Sequence, residues 1–121
     1  MEGTRHLLPL GLAMWIFLSD SFLSIVAHRD KPGVRLVRAR KAGDIEAVFP
    51  DAKTWVDKAA DYPHRAEVPA DEVALVVADR VRGIGYDNFK DSVPKGGRHD
   101  AYMRVWDVMW RWGRAARARN H

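Results

Sequence analysis

The chain has 121 residues, with 20 basic and 16 acidic side chains for a formal charge of +4, and is 47% apolar and 30% charged. That is the length of one ordinary domain with an adequate core, and the composition excludes wholesale disorder. There is no cysteine, which removes disulfide frameworks, thiolate catalysis and cysteine zinc sites and fits a cytoplasmic protein.

Arg5 and His6 precede an apolar run from Leu7 to Leu18. This has the form of a signal peptide, with Ala27 as a small residue at a cleavage site, and it is too short to span a membrane. The preferred reading makes residues 1–13 an N-terminal extension and starts the domain at Met14, because the run continues as strand, turn and strand. Residues 15–18 and 22–28 form the two strands, joined at Ser19, Asp20 and Ser21. In the second strand Phe22, Ser24, Val26 and His28 share one face and Leu23, Ile25 and Ala27 the other. Neither face is strongly polar, as expected of a central strand.

Asp30-Lys31-Pro32-Gly33 is a turn. Val34 to Arg40 is a third strand, with Val34, Leu36, Arg38 and Arg40 on one side and Arg35, Val37 and Ala39 on the other. Asp44 is placed to cap a short helix through Phe49, ended by Pro50. Residues 52–56 read as a weak strand. His64 to Val68 reads as an edge strand closed by Pro69.

Asp71 and Glu72 complement the N-terminal dipole of a helix whose Val73, Val76, Val77, Val81 and Ile84 recur at helical spacing. Gly83 and Gly85 end it. Asp87 to Val93 forms a single turn, and Pro94-Lys95-Gly96-Gly97 is a loop. A helix then runs from about His99 to Trp112, with Tyr102, Val105, Trp106 and Met109 as its buried stripe. Asp100–Arg104 and Asp107–Arg111 are i,i+4 pairs on its wet side. Residues 113–121 read as a basic flexible tail. Arg111, Arg114, Arg117 and Arg119 crowd this end, and without them the chain is close to neutral.

The expected architecture is a single α+β domain over 14–112: a small, mostly antiparallel sheet with the two main helices on one face. A ferredoxin-like connection is one way to join these elements.

The polar groups worth weighing begin with Arg98 and His99. They open the last helix, where backbone N–H groups and the helix dipole favour an anion. Lys90 lies eight residues earlier across a glycine loop. Together with His28 at a strand end, and with Asn88 and Tyr102 as neutral donors, they form a candidate anion or ligand pocket. The same histidines would be the acid and base of a phosphate-ester hydrolase. The competing reading is that these groups only tie loop to body. No nucleophile elbow, phosphate-binding glycine loop or zinc motif is present, so no cofactor, metal or catalytic residue is assigned, and a non-enzymatic protein is favoured. Arg38 and Arg40 on one strand, and Arg111 and Arg114 near the end, are candidates for contact with nucleic acid or with a partner. Trp106 reads as core, and Trp110, off the buried stripe, as an interface anchor.

Asn88-Phe89-Lys90-Asp91-Ser92-Val93, followed by Arg98-His99-Asp100-Ala101-Tyr102 and Val105-Trp106, resembles a family of short proteins from bacteria and their phages. Val26-Ala27-His28-Arg29-Asp30 and Leu36-Val37-Arg38-Ala39-Arg40 are similar to the same family near its start. The resemblance covers about residues 14–110 and brings no activity with it. It implies a protein that modulates a host enzyme or nucleoprotein. The expected partners are therefore a host protein or nucleoprotein, with nucleic acid as the alternative and no membrane.

Overall fold

A computed structural model describes residues 13–120, and the side chains of residues 13–116. Residues 1–12, read above as most of an extension, lie outside this description. The chain divides into two compact units, one ending at Ile84 and the other beginning at Gly85.

The first unit is built on five antiparallel strands: β1 (Ala13–Leu18), β2 (Ser21–Ala27), β3 (Val34–Ala39), β4 (Thr54–Val56) and β5 (His64–Pro69). Their order across the sheet is β1-β2-β3-β5-β4. Three strands in succession pair with their neighbours, and a second hairpin then attaches to β3 through β5. This is an α+β unit. β3 and β4 run parallel to one another with β5 between them and are joined through the helix Asp44–Val48, so this half of the sheet is one split βαβ arrangement of the kind a ferredoxin-like fold uses, with β1 and β2 added beside β3. β5 is not the edge strand that Pro69 suggested. Pro69 sits at its last position, opposite Val34, and three-residue β4 forms the edge instead.

Alternation along the strands decides which side becomes core. Leu23 and Ile25 of β2, Val37 and Ala39 of β3, and Ala66 and Val68 of β5 form one buried cluster with residues of two helices. These helices are α1 (Asp44–Val48), which brings Ile45 and Val48 with Phe49 just beyond its end, and α2 (Ala70–Arg82), which brings Val73. Val76 and Val77 pack against the cluster from α2. Full burial of side chains of this size stabilises by roughly 1.5–3 kcal/mol each. Val81 and Ile84 continue the helical spacing but are exposed, because they fall at and beyond the last turn of α2.

α1 is anchored differently from the sequence expectation. Gly43, with φ of 92°, occupies the position before the helix, and no side chain caps it. Asp44 is the first helical residue, and its Oδ2 accepts the backbone N–H of Phe22 in β2 at 3.0 Å. The aspartate therefore ties helix to sheet. At the other end of the same hairpin turn, Arg80 of α2 donates to both oxygens of Asp20 and to the carbonyl of Ala47. Partial burial pushes the Asp20 carboxyl up, but the hydrogen bonds and charge of Arg80 outweigh it and hold the group below its ordinary value.

The second unit contains α3 (Phe89–Ser92) and α4 (Gly97–Asn120). α4 is longer than expected at both ends, and residues 113–120, read as a flexible tail, continue it.

Asp44→Ala should lower unfolding stability by about 1–3 kcal/mol, because it leaves the β2 amide without its acceptor in a buried place. Asp44→Asn, which keeps an acceptor oxygen, should lose less. Urea denaturation of the three proteins measures this; equal midpoints for Asp44→Ala and the parent chain would remove the assigned role.

Candidate functional site

His28 directly follows β2, and its ring closes the turn leading to β3. Nδ1 accepts the backbone N–H groups of Asp30 and Lys31 at 3.0 and 3.1 Å. A nitrogen that accepts carries no proton, so Nε2 holds it and donates to Glu67 Oε2 at 2.8 Å. Glu67 Oε1 takes Lys31 Nζ at 2.8 Å. The Lys31 ammonium, and after it the His28 ring, hold the Glu67 carboxyl below its ordinary value, and Glu67 in turn raises Lys31. His28 thus binds a turn to the neighbouring β5 with both ring nitrogens.

Arg38 lies on the opposite side of β3 from the core residues Val37 and Ala39. It donates to Ser24 Oγ of β2 at 2.8 Å, and its guanidinium sits over the Tyr62 ring at 4.6 Å. Its Nε is buried and has no hydrogen-bond partner. Arg40 also sits over Tyr62, at 4.2 Å, but forms an ion pair with Asp61 at 3.0 Å. Arg35 turns back to the carbonyls of Pro32 and Val34. Of the arginines on and beside the sheet, the sequence marks Arg38 and Arg40 as contact residues. Arg65, which the register places directly opposite Arg38, gave no signal, because pairing partners across strands are not written in local spacing.

In the second unit the remaining pocket candidates have specific neighbours. Asn88 caps α3 by accepting the N–H of Lys90 at 3.0 Å. Phe89 stacks on Tyr102 of α4 with centroids 5.7 Å apart, and Tyr86 meets Phe89 at 5.9 Å. Lys90 places its ammonium 4.3 Å from the centroid of the Trp106 ring. Arg98 donates to the Tyr102 hydroxyl at 3.2 Å and lies over its ring. His99 pairs loosely with Asp100 at 3.8 Å, in place of the expected Asp100–Arg104 pair, whereas Arg111 and Asp107 form theirs at 3.0 Å. Lys90 and Arg98 thus each meet an aromatic ring of α4. His28 belongs to the first unit and Asn88, Lys90, Arg98, His99 and Tyr102 to the second.

Trp106 is not core. It is 45% exposed and stacks on Trp110, which is 46% exposed, at 6.2 Å with the rings nearly parallel. Arg114 covers Trp110 at 4.8 Å. Lys90, Trp106, Trp110 and Arg114 therefore form one continuous cation–aromatic ladder. Val105 and Met109, expected in a buried stripe with Tyr102, are exposed, and Tyr102 alone of that stripe is buried.

Among the described residues there is no group of three or more His, Asp or Glu side chains placed to hold a metal ion. None of their helices is long and apolar enough to cross a membrane. The chain matches no protein-family model, no curated protein and no solved structure.

The His28–Glu67–Lys31 network carries a pH signature. The lowered Glu67 group contributes stability above its unfolded value of about 4.3, lost as pH falls through the folded value; raised Lys31 contributes below about 10.4, lost as pH rises through its own. Glu67→Gln should therefore flatten both the acid and alkaline limbs of the melting temperature against pH while leaving the neutral region between them lower. Unchanged limbs would show the network is not coupled to folding.

Proposed function

We propose that this chain is a small, non-enzymatic, cytoplasmic binding protein of phage or prophage type, and that helix α4 is the element it presents to a host enzyme or nucleoprotein. One observation carries the reading. Val105, Trp106, Val108, Met109, Trp110 and Trp112 are all exposed within eight residues of a 24-residue helix. At about 100° per residue they cover an arc of roughly 200°, about twice the stripe that a surface helix needs to seat on its own protein. Exposed apolar surface of that extent marks an interaction site.

The composition of this surface supports a protein partner. Trp and Arg are the residues most enriched at interface hot spots, and α4 interleaves Trp106, Trp110 and Trp112 with Arg104, Arg111 and Arg114. The cation–π contacts of Lys90 and Arg114 hold two of the indoles in place before binding, which lowers the ordering cost that association otherwise carries. The resemblance to short phage and bacterial proteins agrees with a modulator. Nothing in the ladder has the arrangement of a nucleophile with its base.

The tagged full-length chain should recover a stoichiometric partner from bacterial lysate with nuclease present. A Trp106→Ala/Trp110→Ala form should lose it. With the partner purified, each single substitution should weaken binding about 30-fold, as truncating an anchor costs about 2 kcal/mol. Recovery of nothing, or equal recovery by the double variant, overturns the reading.

A further inference from the structure

The strand register aligns one residue from every strand in a single row on the sheet face away from α1 and α2. Trp15 of β1 pairs with Ser24 of β2, Ser24 with Arg38 of β3, Arg38 with Arg65 of β5, and Arg65 with Trp55 of β4. The row therefore reads aromatic, hydroxyl, cation, cation, aromatic. Like charges directly opposite each other on neighbouring strands repel. Arg40, next along the chain, has Asp61 to neutralise it. Arg38 donates to the Ser24 hydroxyl and lies over the Tyr62 ring, Arg65 donates to the carbonyl of Tyr62, and among the described residues neither forms an ion pair with a carboxylate. The centre of the row thus holds two adjacent positive charges with no carboxylate on either, a pair completed by an anion.

The two ends of the row supply aromatic surface. Trp15 is 65% and Trp55 43% exposed. Trp15 is braced edge-on by Phe22, which itself stacks on Phe17. With strands about 4.8 Å apart, Trp55 starts about 5 Å from Arg65 and Trp15 about 10 Å from Arg38 along the row. Asp51, Glu67 and Glu72, together with Lys53, border Trp55 in an adjoining cleft of about 500 Å³, and this net negative lining disfavours a phosphate there relative to the arginines.

We propose that this sheet face binds single-stranded nucleic acid, a phosphate seated between Arg38, which the buried Ser24 hydroxyl positions, and Arg65, and bases stacked on Trp15 and Trp55. Guanidinium groups match phosphate oxygens bidentately, and aromatic side chains accept any base face. A sheet with helices behind and aromatics in front is a known solution to single-strand recognition. This surface lies wholly within the first unit and is independent of the role given to α4. Two arginines make a low-affinity site with a shallow salt dependence, about −1.4 in log K against log salt.

Fluorescence anisotropy of a labelled short oligodeoxythymidine with the full-length chain tests this. Arg65→Ala should reduce the salt slope by about 0.7. Trp15→Ala should weaken binding roughly tenfold with the slope unchanged. Arg111→Ala/Arg114→Ala should alter neither, and circular-dichroism melts verify that each variant is folded. Three results overturn the proposal: no binding at low salt, loss confined to the Arg111/Arg114 variant, or competition by poly-glutamate equal to that of unlabelled oligomer.

Discussion

The register of β3 between β2 and β5 is the constraint on which the first unit depends. Val37 is opposite both Ile25 and Ala66, and all three enter the core. Because side chains alternate with a period of two, a slip of one residue would send Arg38 into that core and Val37 to the other side. Seating α1 and α2 requires this one alignment. It also fixes the other face: Ser24, Arg38 and Arg65 can form a row only if Ile25, Val37 and Ala66 form theirs. The two polar ties from helix to sheet, Asp44 to the Phe22 amide and Arg80 to Asp20, are then secondary. They hold the helices at the β1–β2 end of a sheet whose faces are already chosen.

Period and face were legible in the sequence, and partners were not. The division of β3 into Val37 and Ala39 against Leu36 and Arg38 follows from alternation alone, and β2 was recognisable as central because neither of its faces is polar. What alternation does not carry is adjacency. His64 to Val68 has the length and closing proline of an edge strand, yet β5 lies inside, because the still shorter β4 pairs with its far side through Thr54, Trp55 and Val56. The topology was hidden for the same reason: strand length and character do not say that β4 returns parallel to β3 with β5 between them.

The helices show a second limit. Periodicity tells which residues share a side, and it does not tell whether that side is covered. In α2 the valines at 73, 76 and 77 meet the sheet, while Val81 and Ile84 keep the spacing after the sheet has ended. In α4 the stripe of Tyr102, Val105, Trp106 and Met109 is real as a pattern, but only Tyr102 is buried. The C-terminal end of α4 shows a related point. Residues 113–120 are rich in arginine and alanine, both strong helix formers, so the helix propagates through a segment that composition alone marked as flexible.

The fate of the cations explains why net charge was a poor guide to a site. An excess of +4 on 121 residues says little until each guanidinium is paired off. Arg40, Arg80, Arg82 and Arg111 have carboxylates, and Lys31 shares Glu67 with His28. Lys90, Arg98 and Arg114, which sequence spacing grouped by their nearness to a helix start or to the chain end, each cover an aromatic ring. A cation over a ring keeps its charge but gains local attraction, so the ring fixes where it sits. Arg38 is held in the same way by Tyr62, with the difference that its cross-strand neighbour is another arginine. That neighbour is what turns a positioned charge into an incomplete pair, and it came from a strand 27 residues away by a register that only the fold reveals.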